Sequence, residues 1–201
     1  MLYYDYVDIG TCDFDIADNT LCSTKKYLLV EPLSFYLDKT PTGPNIEKLN
    51  AAVSNVAGEF DCYYVDPQII ARYNLDNWVK GCSSINKKHP TITLLEEQHG
   101  VNLTSVQRVP VVTFYDILVK YKINFIENLK IDTEGHDHII LTDVASAILR
   151  GDLIVNNIKF EYLQAFKNLE TLDAIIKILS HKYICIRQID NVMLIRKTKH
   201  S

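Results

Sequence analysis

The chain predicts an α/β fold built on a mostly parallel sheet, and three observations predict it. Short apolar, strand-like runs alternate with helical runs along most of the length. The first strand-like run is closed by Gly10, and the next ends in an acid, Glu31. The last two runs are joined by a link too short for a crossover, so they pair as an antiparallel hairpin. Repeated strand–helix units predict a mostly parallel sheet with helices on both faces, and the hairpin places one antiparallel strand in it. The 201 residues suffice for a single domain, residues 1–201, with a full core; no internal repeat or low-complexity tract divides them.

Each element has a local reason. Tyr3 to Ile9 is rich in aromatic and β-branched residues and reads as the first strand. Asp15 to Ser23 reads as a short helix. Lys26 to Val30 is apolar enough for a central parallel strand, ended by Glu31-Pro32 because proline has no N–H to donate. Ser34 to Lys39 is a short helix with Ser34 as N-cap, and Thr40 to Pro44 is a loop. Ile46 to Val53 reads as the third strand, and Glu59 to Val65 alternates as another after Gly58. Residues 66–105 form the least regular part, an insert of the kind that is usually functional or mobile. Val106 to Val112 is strand-like, and Thr113 caps a helix running to Tyr121. Leu129 to Asp132 is a strand that Gly135 turns into a helix with Ile140, Val144, Ala147 and Ile148 on one face, stopped by Gly151. Asn157 to Tyr162 is a strand, Leu169 to Leu179 an amphipathic helix, and Tyr183–Gln188 with Val192–Arg196 the closing hairpin.

Bulk properties exclude some classes. A net charge of −4 and a pI near 5.8 argue against a nucleic-acid surface as the main business. The five cysteines are odd in number and none forms a C-x-x-C pair, which fits reduced thiols in a cytoplasmic compartment rather than zinc or redox motifs. The first residues lack the basic and apolar regions of a leader, and no apolar run approaches the length of a membrane span.

Two stretches carry chemistry. Gly10 and Glu31 are about 20 residues apart, which fits a strand–turn–helix–strand unit holding a nucleoside, with Glu31 accepting from two ribose hydroxyls. Lys130-Ile-Asp-Thr-Glu-Gly-His136 places three titratable side chains, Asp132, Glu134 and His136, at a strand-to-helix turn, and Glu161 ends the following strand. These runs, with Val7-Asp-Ile-Gly10, Val30-Glu-Pro32, Asn50-Ala-Ala-Val-Ser54 and Val109-Pro-Val-Val-Thr113, resemble the FkbM-type methyltransferases over roughly residues 6 to 162. The loop after Gly10 departs from that family's usual D-x-G-x-N-x-G: Cys12 stands where Asn is common and Phe14 where the second glycine is.

The resemblance implies a class I, Rossmann-like fold with a mostly parallel seven-stranded sheet, and S-adenosyl-L-methionine as cofactor. It implies cofactor-binding roles for Asp8, Gly10, Thr11, Cys12, Glu31, Pro32, Ala51, Ala52 and Asp132. It implies catalytic roles for Asp132, Glu134, His136 and Glu161, and an acceptor hydroxyl on a small molecule or saccharide. Asp132, Glu134 and Glu161 are also a conceivable divalent-cation set, but the expectation is no metal. Trp78, Ser83 and Ser84 are candidates for an acceptor lid, whereas His89, His99, His138 and His181 are given no role. Oligomeric state stays open, a homodimer included. Two other readings compete. A nicotinamide oxidoreductase would need glycines where Cys12 and Phe14 stand. A degenerate scaffold would have no need of the strand-end acids.

Overall fold

The computed structural model describes residues 2–12, 23–85, 87–166 and 168–197. In chain order the strands are β1 (Leu2–Ile9), β2 (Tyr27–Val30), β3 (Ile46–Leu49), β4 (Ala52–Ser54), β5 (Gly58–Val65), β6 (Ser84–Ile85), β7 (Thr104–Thr113), β8 (Ile123–Ile131), β9 (Ile154–Glu161), β10 (Tyr183–Arg187) and β11 (Asn191–Arg196). The α-helices are α1 (Ser34–Leu37), α2 (Pro67–Arg72), α3 (Pro90–His99), α4 (Phe114–Lys120), α5 (Asp137–Arg150) and α6 (Leu169–Leu179).

A seven-stranded sheet runs in the order β10-β11-β9-β8-β1-β2-β3. It is mixed rather than purely parallel: β11 is antiparallel to both of its neighbours, and the other pairings are parallel. The hairpin thus contributes the one reversed strand expected of it. In β1 the amides of Asp5 and Tyr6 both donate to the Lys26 carbonyl, at 3.0 and 3.1 Å. This bulge shifts the alternation, so that Tyr4 shares a face with Val7 and Ile9. That face forms one core with Phe114 and Ile117 of α4, Ile140 and Val144 of α5 and Leu172 of α6. The described helices account for this face of the sheet. The helix expected from Asp15 to Ser23 lies outside the described residues, as does Phe14. No helix among the described residues is long and apolar enough to cross a membrane.

A second, four-stranded sheet, β4-β7-β5-β6, was not expected. It arises because Ile46 to Val53 is not one strand. Asn50 breaks the run by donating its amide to the carbonyls of Glu31 and Pro32, both at 2.9 Å. The chain turns there, and β4 pairs with β7 instead. Two further expectations are corrected. The insert is not irregular but holds α2, a 3-10 turn (Asn77–Gly81), β6 and α3. Ser34 is the first residue of α1 rather than its cap, since Leu33 holds the cap position without a side-chain bond. Thr113 does cap α4, in a reciprocal box with Asp116.

One row of the main sheet positions everything that follows. Leu49, Val30, Ile9, Ile131 and Phe160 stand side by side across β3, β2, β1, β8 and β9. The next residue of each strand therefore leaves the sheet at the same level: Asn50, Glu31, Gly10, Asp132 and Glu161. In parallel sheets this C-terminal edge is where ligands are held.

Candidate functional site

Gly10 is required by its neighbours. Its φ is +81°, and a Cβ there would stand 1.8 Å from the Asp132 carbonyl oxygen. The close approach it permits is thus to the end of β8. The Asp132 amide donates to Ile9 O at 2.9 Å, and the Gly10 amide donates to Val30 O at 2.9 Å. Cys12 follows at φ +46°, also left-handed.

Beside this turn opens a cleft of about 390 Å³. Gly10, Cys12, Glu31, Pro32, Ala51, Ala52, Asp132, Glu134 and His136 all reach it. Asp8 and Thr11 do not line it; both are fully buried behind its wall. Glu161 is also absent from the lining, although its carboxyl joins the acids just below it. The far wall comes from the insert, through Trp78, Lys80, Gly81, Ser83 and Ser84.

Glu31 is 2% exposed. Its Oε2 accepts from the Cys12 amide and its Oε1 from the Leu33 amide, each at 3.0 Å. Burial raises it to about 7, against the pull of these two donors. It therefore stands on the cleft wall and also fixes the loop after β1 to the end of β2.

The opposite end is acidic and crowded. Carboxylate oxygens of Asp132, Glu134 and Glu161 lie within 4.8 Å of one another. A cluster of acids alone names no ion. Burial, followed by their mutual repulsion, holds Glu134 and Glu161 well above the ordinary carboxylate range. Lys130 is the counterweight: its Nζ lies 3.3 Å from Asp132 and 3.7 Å from Asp8, tying these two acids across β8 and β1. His136 is buried, and its Nε2 lies 2.9 Å from Ser54 Oγ at the end of β4. Burial lowers it to about 4, so the ring is neutral near pH 7.

Two residues escaped the sequence reading. Asp137 is fully buried and stitches the turn together. Its Oδ1 accepts from the Thr133 amide and hydroxyl, at 2.8 and 2.6 Å, and its Oδ2 accepts from the Glu161 amide at 3.0 Å. An acid in the first turn of a helix was the available signal. His89, placed as a bland loop residue, stands with its Nε2 3.0 Å from Glu134 Oε2. Its signal was a cap position followed by Pro90, which marks a helix start rather than a loop.

A shared cleft with one carboxylate held by backbone donors and a second group of acids under Coulombic strain can take a ligand with a polyol at one end and a cationic or proton-losing centre at the other. Among known proteins, neither a curated protein nor a solved structure matches the chain. The sequence model of one family, described as "Methyltransferase FkbM domain", matches residues 8–185. That span runs from the Asp8-Ile-Gly10 turn into β10 and includes every residue of the cleft, so the chain belongs to the FkbM methyltransferase domain family.

Proposed function

We propose that this chain is an S-adenosylmethionine-dependent methyltransferase acting on a hydroxyl of a saccharide or other small molecule. The observation that carries the reading is the division of one cleft into an apolar end beside Glu31 and an acidic end on the Asp132–His136 turn. Pro32, Ala51, Ala52 and Val53 offer a surface for a flat base, and the Glu31 carboxylate beside them suits paired ribose hydroxyls. The residues present therefore fit the cofactor. When bound, S-adenosylmethionine supplies a methyl group already activated on a sulfonium.

What remains for the protein is alignment and proton removal. Holding the acceptor in line supplies about 7–11 kcal/mol of a barrier, and a base beside the hydroxyl contributes roughly 10²–10⁴-fold. Glu134 faces the cleft and is the base in this reading; Asp132 orients the acceptor. Glu161, held in its neutral form near pH 7 by burial and its acidic neighbours, keeps a further negative charge away from Glu134, and neutral His136 holds the cleft wall through Ser54. Trp78, 54% exposed on the insert side, offers a flat face for a sugar ring. The same reading treats residues 1–201 as one domain with 66–105 as its acceptor side. It places the protein in a cytoplasmic compartment, supported by the free thiols of Cys12, Cys62, Cys82 and Cys185.

The test is thermal unfolding with S-adenosylmethionine, S-adenosylhomocysteine or NAD, for the wild type and Glu31→Gln. A ligand at 100 times its Kd adds about 2.7 kcal/mol, a rise of roughly 5–10 °C at this size. Both sulfur nucleosides should give that rise and NAD none, and Glu31→Gln should lose the response. The variant's own melting temperature separates loss of the loop from loss of the ligand contact. A rise with NAD alone, or with none of the three, overturns the reading.

A further inference from the structure

The insert between β5 and β7 reaches Glu134 twice. Ser84 Oγ donates to the Glu134 carbonyl at 3.2 Å, and His89 Nε2 lies 3.0 Å from Glu134 Oε2, close enough for a hydrogen bond that a small turn of either side chain would align. Hydrogen bonding fixes the tautomer of His89. The Thr91 amide donates to Nδ1 at 3.1 Å, so Nδ1 carries no proton. In the neutral ring the proton then sits on Nε2, the nitrogen that faces Glu134. The ring is 7% exposed and fixed at the cap of α3. Glu134 itself has φ +53°, a left-handed conformation that a side chain disfavours and that surrounding contacts must hold. Its second oxygen, Oε1, lies on the cleft side, 3.7 Å from where a Cβ on Gly81 would stand.

We propose that His89 is a positioning residue: its Nε2–H donates to one carboxylate oxygen of Glu134 and leaves the other aimed into the cleft to take the acceptor's proton. The use of that oxygen as a base rests on the methyltransferase reading above; the grip on Glu134 does not. The groups around Glu134 explain why a grip is needed. Asp132 from the end of β8, Asp137 from α5 and Glu161 from β9 all disfavour its ionised form, and Lys130 favours it. Cys82 also faces it, and Lys87 stands beside His89. Burial lowers His89 to about 4, so near pH 7 it acts as a neutral donor rather than a cation. A donor aimed at a carboxylate favours the ionised form, which is the form a base needs.

Two variants separate this role from simple helix capping. His89→Asn keeps a side-chain acceptor for the Thr91 amide, since Asn is a strong N-cap, but is too short to reach Glu134. His89→Gln reaches farther and carries an amide N–H toward Glu134. The readouts are the imidazole ¹⁵N spectrum of the wild type and the side-chain ¹³C titration of Glu134, assigned with Glu134→Gln. The proton should be found on Nε2. His89→Asn should move the Glu134 midpoint up by about one pH unit with the fold retained, and His89→Gln should restore it. A proton on Nδ1, or a Glu134 midpoint unmoved in His89→Asn, overturns the proposal. The ¹⁵N spectrum decides the matter even if the Asn variant does not fold. Neither readout needs S-adenosylmethionine, so failure of the grip and failure of the cofactor assignment are separate results.

Discussion

Glu31 and Glu134 are carboxylates on the wall of the same cleft, held in opposite ways. Glu31 accepts one backbone N–H on each oxygen, with Asp8 as its acidic neighbour and Lys130 opposing it. Glu134 faces Asp132 and Glu161 and has a histidine of the insert 3.0 Å from one of its oxygens. Backbone donors belong to the sheet edge and persist whatever the protonation state. The acids opposite depend on where protons reside. On the proposed methyltransferase reading, one end of the cleft serves fixed recognition and the other proton movement.

The Glu31 end breaks most easily through Gly10. Gly10→Ala would press a methyl group into the Asp132 carbonyl at a left-handed position, costing about 4 kcal/mol or preventing folding. Chemical denaturation measures it; a midpoint near wild type would mean that the two strand ends are not locked together as described. The acidic end is probed by pH. Glu161 is raised from 4.5 to about 9, first by burial and then by Glu134, Asp137 and Asp132. A group raised in the folded state contributes stability that is fully present below about pH 4.5 and is lost as pH climbs through about 9. Melting temperature should therefore fall between pH 5 and pH 9, and Glu161→Gln should flatten that fall while melting higher than wild type at pH 9. A variant as steep as wild type would show that Glu161 does not share the strain. The smallest effect concerns Cys12 at φ +46°. Asn tolerates this region better than Cys, so Cys12→Asn should add roughly 0.5 kcal/mol, read as a small rise in denaturation midpoint.

That last position shows how the sequence was legible. The left-handed turn that Cys12 occupies suits the Asn that the resemblance leads one to expect at position 12. The glycine turn, the acid after β2 and the acid-rich turn after β8 are local patterns, and each landed at the sheet edge because strand ends mark themselves with Gly, Pro and polar residues. What escaped was non-local. The apolar run through Val53 gave no sign that Asn50 would bond back to Glu31 and Pro32 and send the chain into a second sheet. His89 meets Glu134 across a long loop of chain, and no spacing encodes that meeting. The insert's helices were partly readable, since Asp66-Pro67 and His89-Pro90 both pair a cap with a proline in the first turn.

The pairing of β1 with β8 has a consequence for biosynthesis. Leu2 lies beside Ile123 and Ile9 beside Ile131, although more than a hundred residues separate them. At roughly 5–20 residues per second, the first strand leaves the ribosome on the order of 10 s before the strand that completes its second edge. During that interval β1 has β2 as its partner on one side and an open edge on the other, the kind of edge on which chains pair wrongly.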